Sequence, residues 1–321
     1  MRPAFAVTLI LTVAPAQQVP YQDMIRIAEF YRLASQIGDE TWPGWSRTPA
    51  PLLLVTPEME FLLHHPTPPP EFTKLGENVY ARPRQFDPHL LATFPAFGPP
   101  AVIVAGEPAN TDSKTSTPWL ITLMHERFHQ LQSAQPGYYS AVNDLGLSRG
   151  DTTGMWMLNY PFPYERPEVV QGFRRLQDGL IRALKEPDGQ NFKKLAAAYV
   201  QERARVFAQL SPDDRKYIGF QLWQEGMARY TQVKVAEAAK DYQPTAEYRK
   251  LPDYEPFASY ARKARADTLN ELDHADLARM KRGFVYSFGA AEGFLLDRLK
   301  TDWKNAYFLH LLSTDALFLS P

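Results

Sequence analysis

The sequence predicts an α+β fold, on the strength of a change of texture along its 321 residues. From about Pro20 to Asp112 the chain is rich in Pro and in short β-like apolar runs. From Ser116 onward nearly every stretch has helical character, punctuated by Pro and Gly. After a leader at 1–16, the expected organisation is a single domain over 17–321, with an α+β part at 17–115 and a helical part at 116–321. A chain of this length buries a substantial core, and 45% hydrophobic with 22% charged residues is an ordinary globular composition.

The leader has Arg2 as a minimal positive region and an apolar run, AFAVTLILTV at 4–13, that is too short to span a bilayer. Ala14-Pro15-Ala16 fits a small-x-small cleavage site, so export to a periplasm or the medium is expected, with Gln17 as the new N-terminus. No later segment is apolar and long enough to be a membrane helix. The absence of Cys means that an exported chain of this size rests on its core and needs no disulfides. A net charge of −1 without blocks of like charge gives no electrostatic reason to expect nucleic acid or an anionic membrane as partner.

In order, the pattern predicts a helix at 21–36 and strands at 52–55, 58–63, 78–82 and 101–105. Pro66-Thr67-Pro68-Pro69-Pro70 can only be a loop or turn. A helix then begins with Ser116 or Thr117 as cap and Pro118 at its first position, and runs through Gln135 to the stop at Pro136-Gly137. Leu120, Ile121, Leu123, Met124, Phe128 and Leu131 surround it with apolar groups, which makes it an interior helix. The piece 136–167, rich in aromatics, Gly and Pro, is expected to be a long irregular loop of the kind that often carries function. A second buried helix is expected from Ser211, with Pro212 first and Asp213 and Asp214 in the opening turn, where carboxylates suit the helix dipole.

The first buried helix carries His125-Glu126-Arg127-Phe128-His129. Two His four residues apart share one helix face and can bind one metal ion, while Glu126 sits a step round, where it can act as a base toward a water beside the metal. Two His and a Glu buried together without a metal would be desolvated with no evident compensation. One zinc per chain is therefore expected. A catalytic zinc needs a third protein ligand. The longer pattern ending in a third His fails here, because Gln132 and Gln135 occupy its Gly and final His positions. The better candidate is Glu225, in Trp223-Gln224-Glu225-Gly226-Met227-Ala228-Arg229-Tyr230. Gly226 costs about 1 kcal/mol in a helix interior, and close approach of this helix to the His helix would account for it.

The pair HERFH and WQEGMARY resembles the gluzincin metallopeptidases, whose second motif commonly has the form E-G-x-A-x-Y. The resemblance implies a zincin-like fold: a small mixed sheet on one side, helices on the other and zinc in the cleft between. It implies His125, His129 and Glu225 as zinc ligands and Glu126 as general base. Glu225 follows His129 by 96 residues, a longer separation than in the aminopeptidase and thermolysin-like branches, with helices expected at about 168–186 and 190–210 in between. Tyr286, in Tyr286-Ser287-Phe288-Gly289, resembles the downstream oxyanion donor of that group, and Tyr230 is a weaker candidate for the same role. The function expected on these grounds is zinc-dependent hydrolysis of a peptide or protein substrate. Hydrolysis of another amide or ester, and a non-catalytic zincin-like binding protein, are the alternatives.

Overall fold

The computed structural model describes residues 18–300 and 302–319, so the leader expected at 1–16 lies outside the described residues. Helix α1 (Tyr21–Thr41) precedes six strands: β1 (Leu52–Val55), β2 (Met59–Leu63), β3 (Thr73–Gly76), β4 (Val79–Pro83), β5 (Leu91–Phe94) and β6 (Val102–Gly106). The rest is helical: α2 (Ser116–Ser133), α3 (Tyr138–Asp144), α4 (Trp156–Asn159), α5 (Pro167–Lys185), α6 (Gly189–Ala208), α7 (Pro212–Gln221) and α8 (Met227–Ala238) come first. After them come α9 (Ala246–Arg249), α10 (Phe257–Asp273), α11 (Leu277–Met280), α12 (Phe284–Leu299), α13 (Trp303–Tyr307) and α14 (Asp315–Leu319). The α+β class is borne out. Among the described residues no helix is long and apolar enough to cross a membrane.

The strands form one mixed sheet in the order β3-β4-β2-β1-β6-β5, with β1 and β6 parallel and every other pair antiparallel. Side chains alternate across it. Leu52, Leu54, Phe61, Leu63, Ile103 and Ala105 join the main core with the helices. Leu53, Val55, Leu62, Val102 and Val104 form a second core with Phe72, beneath Phe86 and Phe94. Burial on both faces is why β1 and β6 are continuous apolar runs and were legible in the sequence. The sequence did not reveal β3 and β5, the two edge strands. β3 is exposed throughout and lacks apolar alternation, and β5 is only four residues long.

Nearly every residue of α2 is buried, as its apolar circumference predicts. The Gln130 amide donates to the carbonyls of Pro51 (2.9 Å) and Ala101 (3.0 Å), pinning the helix to the residues before β1 and β6. Arg127 points away from the other motif residues and donates to the carbonyls of Trp45 (3.2 Å) and Thr48 (3.3 Å). The cap differs from expectation. Thr115 takes that position with no side-chain capping bond, while Ser116 and Thr117 lie inside the helix. Their hydroxyls are engaged elsewhere, Ser116 donating to Asp253 (2.7 Å) and Thr117 to the carbonyl of Glu255 (2.5 Å). The Ser211 cap is as expected, its hydroxyl accepting from the Asp214 amide, with Pro212 first in α7. The piece 136–167 is less irregular than its composition implies, since it contains α3 and α4.

The second buried helix holds the larger surprise. Between α7 and α8 the chain widens into a π-helical turn, Leu222–Gly226, a form rare in proteins and frequent at functional sites. Contrary to the expectation from the sequence, Gly226 faces α12 and not α2. A Cβ there would lie 2.7 Å from the Cα of Gly289 on α12, and a Cβ at Gly289 would lie 2.5 Å from the Cα of Gly226. One turn further along α12, a Cβ at Gly293 would collide with the Tyr230 ring. The two helices therefore touch through their backbones. Gly289→Ala is expected to lower stability by about 1–3 kcal/mol, the usual cost of overpacking, seen as a reduced urea midpoint at unchanged slope. Gly283→Ala has open space around it and is the control, with a change no larger than about 1 kcal/mol.

Candidate metal centre

His125 and His129 lie one turn apart on α2, and the π turn brings Glu225 over them. Glu225 Oε2 is 3.3 Å from His129 Nε2 and 3.7 Å from His125 Nε2. One ligand atom from each of the three residues falls within 4.8 Å of the others. Four ligands held at about 2.0–2.1 Å from a tetrahedral ion stand roughly 3.3 Å apart, so the donor set is close to the size of such a site. The group can hold a metal ion. His125 and His129 are buried and Glu225 nearly so, each offering its ligand atom to the same point.

Two outer contacts hold this arrangement, and neither was anticipated from the sequence. His129 Nδ1 lies 2.7 Å from the Gln132 side-chain oxygen, which keeps a proton on Nδ1 and makes Nε2 the nitrogen that can give up its proton to a cation. The same Gln132 amide donates to the carbonyls of Trp223 (2.9 Å) and Gln224 (3.1 Å) and to the Tyr307 hydroxyl (2.7 Å). One buried side chain thus fastens α2 to the turn that carries Glu225. The sequence signal was its i+3 position from His129, on the same helix face. The second contact is Arg282, which donates to Glu225 Oε1 (3.2 Å), Gln221 (3.3 Å) and the Tyr286 hydroxyl (3.1 Å). His125 Nδ1 is buried without a hydrogen-bond partner among the described residues.

Glu126 is buried beside the three ligand candidates, and the Thr93 hydroxyl on β5 stands 2.9 Å from both its Oε2 and its backbone carbonyl. Tyr286 joins the group, its ring stacked toward His125 with centroids 6.2 Å apart. Tyr230 does not, because its hydroxyl donates to Asp297 (2.7 Å). The remaining histidines are not drawn in as ligands. His64 packs on Tyr31, His65 sits in the loop before the Pro run, His89 pairs with Asp87 at the cleft rim, and His274 and His310 are exposed. Together, His125, Glu126, Tyr286, Leu91, Thr122 and Arg229 help line a cleft of about 460 Å³. A larger hollow of about 690 Å³ beside α3, α6 and α7 contains none of the motif residues.

The electrostatics follow from burial against close opposite charge. Burial pushes the Glu225 carboxyl up, but His129 and His125 outweigh it and hold its pKa well below the usual range. Burial pushes the His129 imidazolium down, and Glu225, Glu126 and Gln132 reverse this to leave it at about 9. Glu126 is shifted upward, because its desolvation exceeds the help from the two imidazoles and Thr93. In the metal-free chain His129 and Glu225 therefore form an ion pair at neutral pH. The imidazolium favours the metal-free fold fully below the ordinary value of 6.5, and that contribution is lost as pH rises through about 9.

A divalent cation must displace the His129 proton. Apparent affinity should weaken about tenfold per unit as pH falls below about 9 and level off above it, as one competing proton requires. At pH 7.5, calorimetry in buffers of different ionisation enthalpy is expected to show release of about one proton per cation. His125→Ala and Glu225→Ala should each empty the site. A Glu225→Ala chain that keeps its metal while His125→Ala loses it would place the third ligand elsewhere.

Comparison with models of known families, with curated proteins and with solved structures finds no match to this chain.

Proposed function

We propose that this chain is a zinc-dependent hydrolase of the gluzincin type, with peptide bonds as its substrate. The observation that carries the proposal is the convergence of His125 Nε2, His129 Nε2 and Glu225 Oε2, with the carboxylate of Glu126 beside them and His125 and Glu126 lining a cleft. Two imidazoles and one carboxylate form a donor set suited to catalytic zinc, with room for an open position. The zincin-like arrangement implied by the motifs is supported by a mixed sheet on one side of α2 and helices on the other.

When bound, zinc polarises a carbonyl oxygen and lowers the pKa of a water molecule. The chain's own groups supply the rest. Glu126 accepts the proton from the attacking water and returns it to the departing nitrogen. In the metal-free chain burial shifts its pKa upward, which favours uptake of a proton. Tyr286 is suited to hold the oxyanion. Arg282 can only donate, so the Tyr286 oxygen accepts from it and the phenolic hydrogen is left for the substrate.

A peptide is favoured over other amides and esters by the strand at the cleft. β5 is the outermost strand on that side of the sheet, and Leu91 at its start lines the cleft. An edge strand offers backbone donors and acceptors to which an extended peptide can add.

Glu126→Gln keeps the size of the side chain and removes its basicity. Metal content is expected to stay near that of the parent while hydrolysis of a peptide mixture falls at least about a hundredfold. Loss of the metal would make Glu126 structural, and unchanged turnover would assign the chemistry to another group. Thr93→Val removes a hydrogen bond that favours the charged form of Glu126 and so raises its pKa further. Since the base must be ionised to act, the acid limb of kcat/KM should move to higher pH in that variant at unchanged metal content.

A further inference from the structure

Arg282 reaches the site from an unusual backbone position. The preceding residue, Lys281, has φ 50° and ψ −126°, a left-handed φ that an L side chain rarely adopts. It lies between α11 and α12, in a short 3-10 turn, Lys281–Gly283. Strain of this kind persists where the surroundings over-determine it. Here the surroundings are the two halves of the site. One guanidinium nitrogen of Arg282 faces Glu225 Oε1 (3.2 Å) and Gln221 (3.3 Å), and the other faces the Tyr286 hydroxyl (3.1 Å).

The two oxygens of Glu225 are thereby divided. Oε2 faces both imidazoles and Oε1 faces Arg282. A carboxylate with both oxygens free can grip a cation with both, and the second oxygen would then compete for the open position a catalytic site needs. We propose that Arg282 is a positioning residue. It reserves Glu225 Oε1 so that Glu225 serves as a one-oxygen ligand, and it fixes the Tyr286 oxygen as an acceptor so that the phenolic hydrogen is aimed at the cleft. This rests on the metallohydrolase reading of the same residues. The planar fork of arginine serves both groups at once, which the single ammonium of lysine does not match. Among the described residues the hydrogen bonds of Arg282 run to Glu225, Tyr286 and Gln221, so its influence on the centre runs through Glu225 and Tyr286.

The test uses the full chain loaded with Co²⁺ alone, whose visible absorption is intense at four-coordinate sites and weak at higher coordination. The Arg282→Met and Arg282→Lys proteins are compared with the parent. Both variants should bind Co²⁺ with a clear loss of band intensity, because Glu225 now closes on the metal with two oxygens. Peptide hydrolysis by the zinc forms should fall about 10–100-fold, in kcat and with little change in KM, the range found when outer partners of a metal ligand are lost. Tyr286→Phe combined with Arg282→Met should cost little more than the larger single effect, since the two act as one unit. The lysine variant, which keeps the charge, is read at a urea midpoint equal to that of the parent, so that a general loss of folding does not imitate the effect. A parent that binds Co²⁺ with a spectrum unchanged in both variants overturns the assignment of Arg282 alone. A parent that takes up no Co²⁺ overturns the metallohydrolase reading, and this assignment with it.

Discussion

Two glycines, Gly226 and Gly289, allow the backbones of two helices to meet with no side chain between them, and the candidate site hangs on that contact. Glu225 immediately precedes one glycine, and Arg282 and Tyr286 lie within two turns before the other. Any side chain at the crossing would lever α12 away from the π turn. The 3.2 Å contact between Arg282 and Glu225 would open, and the Tyr286 hydroxyl would leave with its helix. Interiors are packed too tightly to absorb such a shift locally. The π turn contributes to the same end. An extra residue per turn redirects the side chain of Glu225 relative to α7, and the carbonyls of Trp223 and Gln224 within it accept from Gln132 on α2.

The polar cluster is placed inside an otherwise apolar helix crossing. Phe128, Trp42, Trp223 and Tyr307 pack close by, with Trp223 and Tyr307 stacked at 5.0 Å between centroids. That packing excludes water and strengthens each charge interaction in the cluster. It also explains why the three acid–base groups shift in different directions. For Glu126 desolvation outweighs the two imidazoles and the Thr93 hydroxyl, with Glu225 adding to the upward push, whereas Glu225 and His129 are held charged by each other. A cation arriving there replaces one proton by two charges in a site already shaped for them.

Much of this was legible in the sequence where a short pattern has one physical solution. H-E-x-x-H on an apolar helix left little choice about which face the imidazoles share, and the LLLV and VIVAG runs read as strands, whose burial on both faces came from the structure. Glu225 was legible through its glycine, although for the wrong neighbour: close approach was correct, but Gly226 meets α12 and not α2. Thr93 and Arg282 were not legible. Thr93 belongs to a four-residue edge strand without apolar alternation, and Arg282 is one of many arginines on a helix-rich chain. Their roles come from contacts across 33 and 57 residues of sequence, which no local period encodes. The π turn escaped for a similar reason, since tertiary packing and not propensity decides whether one residue is inserted into a helix.

The same contacts explain why the long stretch between His129 and Glu225 need not disturb the centre. α5 and α6 pack on each other as a pair, and α5 in turn lies against α12, the helix that carries Tyr286. Arg203 on α6 is buried with Glu292 of α12 at 2.6 Å and with Asp315 at 2.6 Å, a charge network that anchors the pair to α12. Removing one member of such a buried pair leaves an unpaired charge, which is costly, so the network specifies where α12 sits. The position of α12 in turn sets Gly289 against Gly226 and Arg282 against Glu225. This stretch therefore acts on the candidate site indirectly, by holding in place the helix that the π turn is pressed against.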